Sequence, residues 1–236
     1  MSHFGKVLTV AISTATLSLL QAVGTTTPAL NDLVTTTASV RVLAAAQASP
    51  ITYVPPDRGS PRQTQGTGSR GCEDLDTIVD VSLIAPSDHT GLTVSERPVF
   101  YWHLRDAVSV PLEFTLVEDG NPEPIYVKRF ETSSAGMTSV SLPEARVLEV
   151  GKTYRWTVSV VCNPQRRSSD VFVQSWIERV EPSADLQTAL AEATSAREIA
   201  QVYAQAGLWY DAIEALDSNE DRMALVNAER LVVVGE

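Results

Sequence analysis

The sequence predicts a mainly β fold: a sandwich of two sheets that carries a short helical tail at its C-terminus. Between Thr77 and Val180, short segments of alternating apolar and polar residues are separated by turn residues, which is typical of sandwiches. Two cysteines, Cys72 and Cys162, bracket most of these segments. After Pro182 the apolar residues recur every three or four positions, which indicates helices.

Length and charge narrow the class of protein. With 236 residues, 44% hydrophobic and 20% charged, the chain can hold one sizeable domain with an appendage. The net charge of -11 repels phosphate backbones and anionic membranes, which argues against nucleic-acid binding. No pattern in the sequence specifies an oligomeric state.

The N-terminus reads as a secretory signal. Lys6 precedes an apolar run over residues 7–23, and we expect a signal peptide over residues 1–24, with cleavage as late as residue 48 as the alternative. An uncleaved anchor is disfavoured because the run is short and rich in Thr and Ser. The sequence therefore predicts a periplasmic or secreted protein with no stable membrane span after cleavage.

Residues 25–71 have the composition of a flexible linker, first rich in Thr and Ala and then in Pro, Gly and Arg. Arg58, Arg62 and Arg70 are spaced among glycines and prolines, so they are candidate contacts to an anionic surface. The alternative is a solvated tether with no contact of its own.

Cys72 stands where this linker ends, and Cys162 closes an alternating run. An even number of cysteines in an exported chain favours a disulfide between them. A redox or metal pair is disfavoured because the spacing is not CxxC and no third soft ligand is near in the sequence.

The predicted sandwich covers residues 72–181. Strands are predicted over residues 77–85, 98–104, 112–118, 125–131, 138–142, 153–162 and 170–180. The predicted core side chains are Val79, Val81, Leu83, Phe100, Trp102, Leu104, Leu112, Phe114, Leu116, Tyr154, Trp156, Val158 and Val160. In the last strand either Val171, Val173 and Ile177 or Phe172 and Trp176 face inward.

Residues 148–158 resemble the entry into the sixth strand of fibronectin type III and related immunoglobulin-like domains. The resemblance implies that Tyr154 makes the corner hydrogen bond of those domains and that Trp102 is their buried Trp. It speaks to the fold alone, because such sandwiches serve adhesion, scaffolding, sugar binding and domain spacing.

Three helices are predicted in the tail, residues 182–236. The first ends at Gly207, the second holds Trp209, and Asp217 or Ser218 caps the third. Residues 200–213 look like one tetratricopeptide-type hairpin. Since a single unit cannot bury its own face, we expect it to dock on the sandwich or on a partner.

No catalytic residue, metal site or cofactor is predicted. Ser87, Asp88 and His89 are adjacent in one loop, whereas a triad needs side chains from separate elements, so a turn hydrogen-bonded by Asp88 is expected. His103 is expected to be half-exposed on a strand. No Gly-rich phosphate loop or calcium loop is present in the sequence.

Four aromatic residues beside polar neighbours are candidates for a binding surface: Tyr101, Tyr126, Trp176 and Trp209. Exposed aromatic rings are typical of sites for sugars or protein surfaces. For Trp209 the alternative is that it fills the interface between tail and sandwich.

The order of these parts resembles an uncharacterised cyanobacterial family, domain of unknown function 928. The resemblance rests on residues 59–61 and 68–72, 91–98, 151–156, 170–173 and 176–179, and 207–212. It implies an exported cyanobacterial protein and supplies no reaction, ligand or catalytic residue.

Together these observations predict an exported, non-catalytic module that binds a protein or an envelope polymer. One alternative is a hydrolase that acts on envelope material through loop carboxylates, which a deep pocket lined by two carboxylates of raised pKa would favour. Another is a structural spacer in a larger assembly.

Overall fold

A computed structural model describes residues 50–56, 65–66, 72, 79–131 and 133–233. The predicted signal peptide, both predicted cleavage points, and Arg58, Arg62 and Arg70 lie outside these described residues. Among the described helices, none has both the length and the apolar character needed to cross a bilayer.

The described residues form nine strands and four α-helices. The strands are β1 (Gln65–Gly66), β2 (Val81–Leu83), β3 (Gly91–Thr93), β4 (Val99–Leu104), β5 (Leu112–Glu118), β6 (Pro124–Phe130), β7 (Gly136–Ser141), β8 (Thr153–Val160) and β9 (Val171–Arg179). The helices are α1 (Ala184–Glu192), α2 (Ala196–Gln205), α3 (Trp209–Ala215) and α4 (Asn219–Val233).

Two sheets make up the β part. The larger has the strand order β1-β9-β8-β5-β6, and β3 adds to it by pairing parallel with β9. The smaller has the order β2-β4-β7. Every other strand pair is antiparallel, which confirms a mainly β protein with two antiparallel sheets.

Alternation along the strands separates a buried face from a solvent-facing one. Leu112, Phe114 and Leu116 in β5 are buried, and so is every second residue of β8, as predicted. In β9 the inward positions include Val171, Ser175 and Ile177, so Trp176 faces outward. Ser175 pairs with Trp156 across β8 and β9, and this small side chain is opposite the large indole.

Strand β3 was not predicted because all three of its residues are buried and no alternation marks it. Gly91 begins this strand beside the ring of Tyr210. A Cβ at that position would lie 2.6 Å from the ring, so only glycine permits this approach without displacing the ring.

The tail contains four helices where three were predicted. The difference arises at Ser195, whose side chain accepts from the Glu198 backbone N–H while Glu198 bonds back to the Ser195 backbone. This capping box starts α2 after α1 has ended at Glu192. At the next boundary Ser218 receives the Asp221 backbone N–H and so caps α4.

The tail packs against the two sheets and contributes to their core. Trp209 and Tyr210 on α3 are fully buried. The Trp209 indole N–H donates to the Ile84 carbonyl at 3.1 Å, and the Trp156 indole N–H donates to the Tyr210 hydroxyl at 2.7 Å. Helix α3 therefore completes the hydrophobic core of the two sheets.

Residues 50–56 lie within the predicted linker, but they are packed on the domain. Ile51 and Tyr53 are buried, and the Val54 backbone N–H donates to the Ala204 carbonyl at 3.0 Å. Strand β1 lies in the same predicted linker and pairs with β9. The prediction of a flexible linker is wrong for these residues, because alternate apolar side chains and paired backbone groups hold them in place.

Cys72 and Cys162 form the disulfide that the sequence predicted, with their Cα atoms 5.1 Å apart. The corner hydrogen bond implied for Tyr154 is also present: the Glu149 backbone N–H donates to the Tyr154 hydroxyl at 2.9 Å. Trp102 is fully buried, as the same resemblance implies.

Candidate functional site

Of the two Trp residues predicted to lie on a binding surface, Trp176 is on the solvent-facing side of the larger sheet. Val117, Arg155 and Trp176 are register partners on β5, β8 and β9, so their side chains lie side by side on this face. The next row on the same face consists of Thr115, Thr157 and Gln174, and all are half-buried. We call the face defined by these two rows the outer face.

An open cavity of about 260 Å³ lies at one end of the outer face. Trp176 and Arg155 line it, and the Arg155 guanidinium lies 5.8 Å from the centre of the indole ring. The turn between β5 and β6, residues 119–122, lines the rest together with Val117 and Glu118. The cavity thus combines an aromatic surface with a cation and polar turn atoms.

The structure does not bring the four predicted aromatic residues together. Tyr126 is on the inward face of the larger sheet, with its ring 6.1 Å from that of Phe114. Tyr101 is on the smaller sheet, where the Arg222 guanidinium lies 4.9 Å from its ring. Trp209 is in the core, so its assignment to a surface is wrong and the alternative, an interface residue, is correct.

A second cavity, of about 400 Å³, is lined by two carboxylates of α3. Asp211 is buried, and it accepts the Val94 backbone N–H at 3.1 Å. Burial raises the pKa of Asp211 to about 7, and the Thr93 hydroxyl and the Val94 N–H oppose this shift. Partial desolvation also raises the pKa of Glu214, an exposed residue whose carboxylate accepts the Val99 backbone N–H at 3.4 Å.

The loop after β2 forms a third cluster, with the N-terminal segment and α4. His89 Nδ1 lies 2.7 Å from Asp88 Oδ1, and its Nε2 lies 2.8 Å from the Tyr53 hydroxyl. Ser87 donates to Glu229 Oε1 from both its backbone N–H and its hydroxyl, at 3.2 and 3.0 Å. The Ser87 hydroxyl therefore bonds to Glu229, which is not the pairing of a hydrolytic triad.

Sequence reasoning had considered Ser87, Asp88 and His89 but missed Tyr53 and Glu229. Glu229 is 142 residues from Ser87 in the chain, so no spacing rule links them. The one feature of the sequence that indicates a role for Glu229 is its charge among the regularly spaced apolar residues of α4. The other histidine, His103, is half-buried on β4, as expected for a strand residue.

The described residues form a mainly β domain, and helix α3 completes its hydrophobic core. The chain belongs to the Domain of Unknown Function (DUF928) family, whose model matches residues 65–224. That span contains both sheets and most of the tail. Comparison with curated proteins found no match. Comparison with solved structures also found none.

Proposed function

We propose that the protein is an exported, non-catalytic binding module that holds a protein or an envelope polymer on the outer face. The observation that supports this most is the open cavity in which Trp176 and Arg155 lie side by side on a solvent-facing sheet. An indole ring with a guanidinium beside it offers one apolar surface and several hydrogen-bond donors in one place.

The chemistry of this cavity favours an envelope polymer with sugar rings. The apolar face of a sugar ring stacks on an indole, and ring hydroxyls or carboxylates accept from a guanidinium. The carbonyls and amides of the turn over residues 119–122 add donors and acceptors at the cavity wall. An extended peptide would use the same groups, so it is the second ligand to test.

Export is supported by the disulfide, since such bonds persist mainly in oxidising compartments. The sandwich type that we propose is immunoglobulin-like, supported by the Tyr154 corner and buried Trp102. Mass spectrometry of the protein isolated from its own cells tests export. We expect a chain that starts after residue 24 and has no free thiol; an intact leader with two free thiols would contradict export.

Binding is tested by titrating the full mature chain with soluble peptidoglycan fragments, acidic and neutral polysaccharides, and peptides. Trp176→Ala should abolish retention, whereas Trp176→Phe should keep part of it because a ring remains. Val147→Ser is the matched control, because Val147 is an exposed apolar residue in the loop between β7 and β8 and lies outside the strands of the outer face. Equal binding by wild type and Trp176→Ala would refute the assignment.

A hydrolase is the second candidate function, because two carboxylates of raised pKa line one cavity. In this alternative Asp211, protonated near neutral pH, would be the general acid. Both carboxylates project from one helix and accept backbone N–H groups, which also fits a structural role. If the wild type releases soluble fragments from envelope polymer and Asp211→Asn does not, the protein is a hydrolase. If the wild type releases no fragments, the binding module is favoured.

A further inference from the structure

We propose that Asp88, His89 and Glu229 form a binding site for a divalent transition-metal ion, of which Zn²⁺ is the probe. One donor atom from each of these residues lies within 4.8 Å of the others. The three come from the loop after β2 and from α4, so the ion would connect distant parts of the chain. This site is separate from the residues of the outer face.

The strongest support for this metal site comes from the side chain of Glu229. Glu229 is buried, and only 3% of its surface is exposed. Ser87 holds Oε1 through two hydrogen bonds, while Oε2 has no hydrogen-bond partner among the described residues. A buried carboxylate oxygen without a partner is costly, and a cation bound to Oε2 would remove that cost.

His89 is already oriented as a ligand. Metal-binding histidines usually donate their second ring N–H to a fixed acceptor. Here Nε2 faces the Tyr53 hydroxyl at 2.8 Å, and that hydroxyl can donate onward to the Gly207 carbonyl at 3.5 Å. The ion would bind Nδ1 in place of the proton that Nδ1 shares with Asp88 Oδ1 at 2.7 Å, and that proton would be released to solvent.

Tyr53 holds the imidazole of His89 in place. Its ring stacks on that of His89 at 5.6 Å and meets Trp209 edge-on at 4.9 Å, which fixes the imidazole plane. Tyr53 therefore positions His89 rather than binding the ion.

The donor set selects the class of metal. One imidazole nitrogen and two carboxylate oxygens suit Zn²⁺ and its neighbours, whereas Ca²⁺ prefers six or more oxygen ligands. The Asp88 side chain is 42% exposed, so an ion and a water ligand can reach the site from solvent. The site would thus have three protein ligands and one open position.

The test is calorimetric titration of the full mature chain with Zn²⁺ alone, together with thermal unfolding. We expect one Zn²⁺ per chain and an unfolding temperature that rises with Zn²⁺ concentration. Glu229→Gln keeps the shape of the side chain and should bind at least about tenfold more weakly, because it loses a charged ligand. Glu220→Gln on the same helix is the matched control and should bind like the wild type, since Glu220 is exposed.

Asp88→Asn is the second variant in case Glu229→Gln fails to fold, and it too should weaken binding at least about tenfold. X-ray absorption of the zinc-loaded protein should show nitrogen and oxygen ligands without sulfur. Trp176→Ala should bind Zn²⁺ normally, which separates this site from the proposed function. The proposal is overturned if Zn²⁺ does not bind, if Asp88→Asn binds like the wild type, or if Ca²⁺ binds as tightly as Zn²⁺.

Discussion

Tyr210 shows how one hydroxyl connects the helical tail to the larger sheet. It accepts the indole N–H of Trp156 on β8 and donates to the carbonyl of Trp176 on β9, at 2.7 and 3.1 Å. Its ring also meets Phe100 of the smaller sheet at 5.9 Å. A single residue of α3 thus contacts both sheets, and the carbonyl that it binds belongs to the Trp of the proposed binding cavity.

Tyr210→Phe should lower the free energy of unfolding by about 1–3 kcal/mol, because the Trp156 indole N–H would be buried without its acceptor. Urea unfolding followed by tryptophan fluorescence measures this change. Tyr203→Phe on the neighbouring helix is the control, since Tyr203 is only half-buried, and its effect should be smaller. Equal stability of Tyr210→Phe and the wild type would contradict the role of this hydrogen bond.

Asp211 should make stability fall as pH rises between about 4 and 7. Its pKa is raised from 3.8 to about 7, so within this range the folded chain keeps a proton that the unfolded chain releases. The folded state is therefore favoured at low pH and loses up to about 1.4 kcal/mol per pH unit from this group as pH rises.

Urea unfolding across this pH range should show that Asp211→Asn removes that slope. Asp217→Asn should leave it unchanged, because Asp217 is exposed. Parallel pH profiles for Asp211→Asn and the wild type would show that Asp211 does not titrate in this way.

At the scale of secondary-structure elements, the sequence predicted the buried faces correctly in strands whose apolar and polar residues alternate. The alternation of β5 and β8 predicts their inward faces because each strand has one buried and one solvent-facing side. The all-buried β3 has no such contrast, and the cluster of His89 and Glu229 depends on contacts that no local pattern encodes.

For the N-terminal segment, residues 50–56, amino-acid composition wrongly predicted a flexible linker. Ile51→Ala should cost about 2–4 kcal/mol of stability, because Ile51 is buried in the main core cluster. Val54→Ala should change stability by less than about 0.5 kcal/mol, since Val54 is 48% exposed. Thermal or urea unfolding of the two variants tests whether this segment is part of the fold. Equal losses of stability in Ile51→Ala and Val54→Ala would mean that it is not.

At the scale of the whole molecule, the parts predicted separately are one packed domain. Side chains from residues 50–56, both sheets, α2, α3 and α4 share one core cluster. The disulfide adds a covalent link between residue 72 and the end of β8. This packing does not cover the outer face of the larger sheet, which remains accessible to solvent.

Removing the disulfide should destabilise the domain by about 4 kcal/mol, because its cysteines are 90 residues apart and the bond restricts the unfolded chain. The measurement compares urea unfolding of the wild type with that of the Cys72→Ala, Cys162→Ala double variant. A loss below about 1 kcal/mol would show that the remaining contacts make the cross-link dispensable.

The most direct test of the proposed binding face is photocrosslinking to envelope material from a reactive residue placed at Thr157. This position is on the outer face, next to the cavity row. Ser139, exposed on the smaller sheet, is the matched control position. The account predicts adducts from position 157 that disappear in Trp176→Ala, and none from position 139; adducts from 139 alone, or from both equally, would contradict it.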